Sequence, residues 1–329
     1  MTGTLHNSIV VITGASSGIG RATALAFARE GATVVVAARN GAALDDLVRE
    51  IETAGGRAMA VPTDVTDEHA VQQLAETAVD TFDRIDVWVN AAAVMLFGFF
   101  TETPLDDYRR VIETNFFGYV HGAMASLPIF QRQKQGTLIN VASVVTRMPQ
   151  PFTSAYVASK HAVRALGMSL REELLLQHFD DVHVVTILPA TIDTPLFQHA
   201  ANYSGRRIKA LPPVYPAELV ASAIVRAATH PKREVYVGNA GRLMNIQMKL
   251  FPSLTERMAA TYVDKLDFDD DLAPVTSGNL YAPAAPEGDV SGGWRGEASA
   301  SSRNIGKVAL GGLAAGALLL GGRKLLEQR

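Results

Sequence analysis

Short runs of consecutive apolar, mostly β-branched residues, separated by amphipathic helical stretches, constrain this chain more than any other feature. Ile9–Thr13 and Thr33–Ala38 are such runs, and helical patterns follow them at residues 19–29 and 42–53. Residues 57–61, 68–82 and 85–90 continue the alternation, and 137–141, 182–188 and 234–237 supply further strands. The longer segments 104–130 and 155–178 read as helices between them. A strand that is apolar on both faces must be covered on both, which a parallel sheet with right-handed crossover helices achieves. The expected class is α/β, a doubly wound parallel sheet of about seven strands with helices on both faces.

The alternation stops near Leu266. An acidic cluster at 267–271 leads into a stretch rich in Pro, Gly, Ser and Ala that runs to about Asn304. Such a composition buries too little to offset its ordering entropy, so 267–304 is predicted to be a flexible linker. Residues 308–322 are then purely apolar, between Lys307 and the pair Arg323–Lys324. As a helix this run spans roughly 22 Å, short of a hydrocarbon core of roughly 30 Å, although snorkelling cations extend it to 305–326. Gly312 and Gly316 have the small-residue spacing of packed membrane helices, which soluble Gly/Ala-rich helices share. Two readings of 305–329 stay open: a membrane anchor, or a helix docked on the body or on a partner. The expected organisation is a main domain over 1–266, then linker, then apolar helix.

The chain has no cysteine, which removes disulfides, thiol nucleophiles and cysteine-held metals. A net charge of −3 and a pI near 6.2 give no electrostatic reason to expect nucleic acid. The eight histidines are scattered without metal-ligand spacing, so no metal is expected. The N-terminus runs straight into an apolar strand with no signal core, and a cytoplasmic body is expected.

The turn Thr13-Gly14-Ala15-Ser16-Ser17-Gly18-Ile19-Gly20 lies between the first strand and the first helix. Glycines there let backbone approach a diphosphate, and the helix N-terminus presents free N–H groups and a positive dipole end. The spacing is Gly-x-x-x-Gly-x-Gly, not the better-known Gly-x-Gly-x-x-Gly. At the end of the second strand an acidic residue would accept a ribose 2′-hydroxyl and repel a 2′-phosphate. Arg39 stands there instead, and a guanidinium suits a phosphate, which favours NADP(H).

Tyr156 and Lys160 are four residues apart at the start of a helix and share one face. A phenol is a poor base at neutral pH, and an ammonium one turn away is expected to lower its pKa. Such a tyrosine can exchange a proton with an alcohol or carbonyl while hydride moves to or from a nicotinamide. Ser143, just after the strand 137–141, offers a hydroxyl to orient the substrate oxygen.

With these residues in this order, together with Asp64, Asn90-Ala91-Ala92-Ala93, Asn115 and the run from Pro189 to Thr194, the chain resembles the short-chain dehydrogenase/reductase family over roughly residues 5–240. The resemblance implies a Rossmann-type fold and a role for each residue. Tyr156 would be the general acid/base, and Ser143 would polarise the substrate oxygen. Lys160 would bind the nicotinamide ribose, and Asn115 would position a water relaying protons from it. Gly14, Ser16, Ser17, Gly18, Ile19 and Gly20 would cradle the diphosphate. Asp64 and Val65 would contact the adenine, and Asn90 would sit beside the cofactor. Pro189, Ile192 and Thr194 would hold the nicotinamide end. The family's Asn-Asn-Ala-Gly is Asn90-Ala91-Ala92-Ala93 here, and its Pro-Gly is Pro189-Ala190, departures expected to alter loop geometry rather than abolish activity.

Residues 94–100, with Met148, Phe152, Leu196 and Phe197, place apolar side chains in the loops where substrate would lie, pointing to a small hydrophobic alcohol or carbonyl compound. The two long helices carry more apolar positions than one sheet face uses, and the resemblance implies a homodimer or homotetramer. Two rivals remain: a non-catalytic NADP-binding regulator, and a dehydratase or epimerase using the same Tyr–Lys pair.

Overall fold

A computed structural model describes residues 5–147, 149–238, 250, 252–283 and 288–295. Its first half is a regular alternation: β1 (Ile9–Thr13), α1 (Gly18–Arg29), β2 (Thr33–Ala38), α2 (Gly41–Thr53), β3 (Arg57–Pro62), α3 (Glu68–Phe82) and β4 (Val87–Asn90). A short β5 (Leu96–Phe97) precedes α4 (Leu105–Ile112) and α5 (Gly118–Gln133), then β6 (Gly136–Val141), α6 (Ser154–Leu176) and β7 (Val182–Pro189). The short strands β8 (Ile192–Asp193), β9 (Ala201–Asn202), β10 (Arg206–Ile208) and β11 (Tyr215–Pro216) follow. They lead to α7 (Ala217–Thr229), β12 (Glu234–Val237), α8 (Pro252–Leu266) and β13 (Phe268–Leu272).

Seven strands form one parallel sheet in the order β12-β7-β6-β4-β1-β2-β3. The apolar runs behave as their composition requires. Val10 and Ile12 of β1 and Val34 and Val36 of β2 face one core with Phe27 of α1 and Val220 and Ile224 of α7. Ile9, Val11, Val35 and Ala37 face the other with Leu74 of α3 and Ile129 and Phe130 of α5. Strand side chains alternate between faces, so a run apolar throughout fills both layers. Each fully buried Val or Ile contributes about 1.5–3 kcal/mol of transfer free energy. The strand order reverses between β1 and β4, and in open α/β sheets the carboxyl ends of the strands at such a reversal form the ligand crevice.

Two expectations change. The segment 104–130 is not one regular helix, because a π-helical turn at Glu113–Phe117 separates α4 from α5. The reading of 267–304 as a flexible linker does not hold for its described part. There β13 pairs antiparallel with β10, and Phe268 and Leu280 are buried. Two aspartates of the acidic cluster are ion-paired: Arg207 binds Asp269 and Asp271, and Lys209 binds Asp269. Two well-placed apolar side chains and these ion pairs supply the order that average composition concealed. The apolar tail at 305–329, with its two readings, lies outside the described residues, as does Met148. Among the described residues no helix is long and apolar enough to cross a membrane.

Candidate active site

The carboxyl ends of β1, β2, β4, β6 and β7 bring most of the singled-out residues to one edge of the sheet. Gly14 has φ +71° and packs so closely on the β4 turn that a Cβ would lie 2.5 Å from the Ala92 nitrogen. Only glycine fits there. Gly18, at φ +52°, faces Thr194, whose Cβ would stand 3.1 Å from an added methyl. The turn after β1 and the segment after β7 therefore meet at this edge of the sheet. Ser17 is the N-cap of α1 but makes no side-chain cap bond, whereas Asn40 caps α2 and Asp67 caps α3. The first turn of α1 thus keeps its donors for another acceptor, as an anion-binding helix start must.

At the far end of the cleft Arg39 is half-buried, and desolvation lowers its pKa against the opposing influence of Asp64. Asp64 accepts from Thr66 N at 3.0 Å, Thr66 Oγ1 at 2.9 Å and Arg110 Nη2 at 2.8 Å. Burial works to raise the Asp64 carboxyl, but these bonds hold it below its ordinary value. Val65 beside it is buried. Pro189 ends β7, and Ile192 and Thr194 beyond it are buried as well.

Backbone N–H groups at a glycine turn are donors that could hold the diphosphate of a dinucleotide. Asn90 closes β4 at this same edge. Its amide is buried beneath α5, accepting from Trp88 Nε1 at 2.8 Å and donating to Asn140 Oδ1 at 2.9 Å and Tyr119 O at 3.3 Å. It fastens β4 to β6 and α5.

Tyr156 and Lys160 lie in the first two turns of α6, both buried. Burial pushes the Tyr156 phenol up to about 12, and a hydrogen bond with Ser143 works against that rise. Ser143 also accepts from Val145 N at 3.3 Å, which fixes its hydroxyl at the start of a short 3₁₀ turn. Lys160 is pulled down to about 7 by desolvation. Its Nζ donates to Tyr119 Oη at 3.0 Å and Val141 O at 2.9 Å, and stands 5.7 Å from the Tyr156 ring centroid. The expected lowering of the tyrosine by the lysine is therefore reversed in this arrangement. Both groups are dehydrated, and the ammonium is turned toward Tyr119. His161, next in sequence, only directs Nδ1 to Val157 O at 2.8 Å.

Asn115 sits in the π-helical turn and is fully buried. Its side chain accepts from Val94 N at 2.8 Å and donates to Val94 O at 2.9 Å and Ser159 Oγ at 3.2 Å. The amide thus clamps the loop after β4 onto α6, and an irregular turn in a long helix is a frequent companion of such sites. Met95, Phe97, Val145, Ala200, Ile208 and Phe268 pack with Tyr156 in one apolar cluster, edged by Phe152, Leu196 and Phe197. Sequence reasoning missed Tyr119 and Phe268. Tyr119 carried a signal in hindsight, lying four residues beyond Asn115; Phe268 was hidden among aspartates.

The family profile described as short chain dehydrogenase matches residues 8–203. An uncharacterized oxidoreductase of Bacillus subtilis, YxnA, is 41% identical over 258 residues, covering 77% of this chain and 72% of that protein. Dehydrogenase/reductase SDR family member 7B of Bos taurus is 34% identical over 275 residues, 79% of this chain and 83% of that protein. A crystal structure of a short chain dehydrogenase/reductase from Burkholderia phymatum in complex with NAD superposes with a TM-score of 0.67. It shares 26% identity and covers 83% of this chain and 100% of that one.

Proposed function

Because the chain belongs to the short-chain dehydrogenase family, we propose that it is an NADP(H)-dependent oxidoreductase interconverting a hydrophobic alcohol and its ketone or aldehyde, with Tyr156 as the proton-transfer group. One observation carries the reading. Tyr156, hydrogen-bonded to Ser143 and one helical turn from Lys160, is buried in an apolar cluster at the carboxyl edge of the parallel sheet.

A bound nicotinamide supplies or removes hydride; the protein's part is to bind, orient and move a proton. A phenol near 12 is protonated throughout the neutral range, the state needed to donate to a developing alkoxide. Ser143 holds the substrate oxygen beside that donor. Lys160 and Asn115 complete the set; the Asn115 amide is committed to Val94 and Ser159, so a water relay through this residue uses its backbone carbonyl.

Arg39 and the absence of a carboxylate at the end of β2 support NADP(H), although the Burkholderia phymatum protein was solved with NAD. The cluster around Met95, Phe97 and Phe268 supports an apolar substrate. Exposed Phe117, Met124, Met168, Leu175 and Leu176 on α5, α6 and the turn between α4 and α5 support assembly into a homodimer or homotetramer. The test is NADPH oxidation against a panel of apolar and polar ketones and aldehydes, with Tyr156→Phe as control. Turnover of apolar ketones that vanishes in the variant is expected, and turnover surviving in it overturns the assignment.

A further inference from the structure

The donors that the proposed function reserves for a dinucleotide are engaged by the chain itself. Arg39 Nη1 donates to Leu280 O at 2.9 Å and Nη2 to Asn279 O at 2.6 Å. Gly18 N, in the diphosphate turn, donates to Asp289 O at 2.8 Å. In the segment after β7 the Asp193 carboxylate accepts from Ser291 Oγ at 2.7 Å, Gly292 N at 3.1 Å and Trp294 N at 2.9 Å. Trp294 Nε1 donates to Thr194 O at 3.2 Å. The adenosine end, the middle and the nicotinamide end of the cleft are thus touched by one stretch of chain.

We propose that residues 277–283 and 288–294 form a strap that competes with the dinucleotide for its cleft, so that cofactor binds as the strap lifts. The inference rests on the proposed function. The strap is seated, not merely nearby: Leu280 is fully buried, and Gly288 approaches the turn so closely that a Cβ would lie 2.0 Å from Ser16 O. Carbonyl oxygens stand where phosphate oxygens would, and one N–H cannot serve both. A charged acceptor forms a hydrogen bond roughly twice as strong as a neutral one, so a dinucleotide can displace the strap, with apparent affinity reduced by the fraction of time the strap is docked.

The test uses the full chain and NADP⁺. Calorimetry on Gly288→Val, which cannot dock, is expected to give a Kd about tenfold or more below wild type, as for a cleft covered about nine-tenths of the time. Trp294→Ala, which removes the bond to Thr194 without adding bulk, is expected to move Kd in the same direction. In wild type NADP⁺ is expected to shift tryptophan emission to the red as Trp294 is released; Trp88, the other tryptophan, is fully buried and unaffected. Unchanged or weaker NADP⁺ binding in both variants overturns the strap, weaker binding marking it as a clamp over the cofactor. Failure of every chain to bind NADP⁺ or NAD⁺ overturns the proposed function and the strap together.

Discussion

The Lys160 ammonium donates to Tyr119 Oη at 3.0 Å, and Tyr119 in turn donates to Val141 O at 2.9 Å. Val141 O also accepts from Lys160 at 2.9 Å, so the three close a triangle that holds the lysine without a carboxylate. A lysine already lowered to about 7 by burial loses its charge as pH rises through that value. Tyr119→Phe removes one acceptor of the charged form and lowers the pKa further. We expect kcat for carbonyl reduction to fall about two- to tenfold at pH 8, the range of one net hydrogen bond, and distinctly less at pH 6. An equal loss at both pH values in a pH–rate profile would mean that Tyr119 only packs.

Tyr156→Phe removes the hydroxyl proposed as proton donor while leaving the ring in its apolar cluster. Carbonyl reduction is expected to drop by about 10²- to 10⁴-fold, the usual contribution of a positioned acid. Binding of NADP⁺ is expected to be nearly unchanged, since the diphosphate turn and Arg39 are untouched. Because the wild-type phenol sits near 12, reduction has no limb from this group between pH 6 and 9. Alcohol oxidation, which needs the phenolate, rises with pH over the same interval. Initial rates in both directions check the sign.

The layered fold was legible because buried parallel strands need apolar residues on both faces, and Val10, Val11 and Ile12 are apolar without alternation. The juxtaposition of Tyr156 and Lys160 was legible because their spacing alone puts them on one helix face. Direction was not. Nothing local shows that Lys160 turns to Tyr119, or that Asn90 faces beneath α5, since both depend on partners on other elements. The stretch after Leu266 was misjudged because composition averages over residues. Leu280 and Phe268 are few among many Pro, Gly and Asp, but each fills a buried position.

Arg39→Asp is expected to invert cofactor preference. The guanidinium is replaced by a carboxylate that accepts from a ribose hydroxyl and repels a 2′-phosphate. Charge-assisted hydrogen bonds contribute about 1.5–3 kcal/mol each, so the ratio of kcat/KM for NADPH to that for NADH is expected to fall at least about a hundredfold. Arg39 also holds the carbonyls of Asn279 and Leu280. Loss of those contacts alters access for both cofactors alike and cancels in the ratio. A ratio that stays put removes Arg39 from the binding of the adenosine end.

Asp267 links stability to pH. Its side chain is buried between α8 and β13, Oδ2 has no hydrogen-bond partner among the described residues, and burial pushes the carboxyl up to about 7. In the unfolded chain it titrates at its ordinary value, so between about pH 4 and 7 the folded state holds a proton that the unfolded state releases. Its contribution to stability is therefore full below pH 4 and lost as pH rises toward 7. Asp267→Asn keeps the shape and removes the charge. Its Tm is expected to exceed that of wild type at pH 8 by several degrees, at about 2–4 °C per kcal/mol for a chain of this size, with the gap closing toward pH 4. A gap that is constant across pH, or reversed at pH 8, shows the carboxylate to be ionised and satisfied in the folded protein.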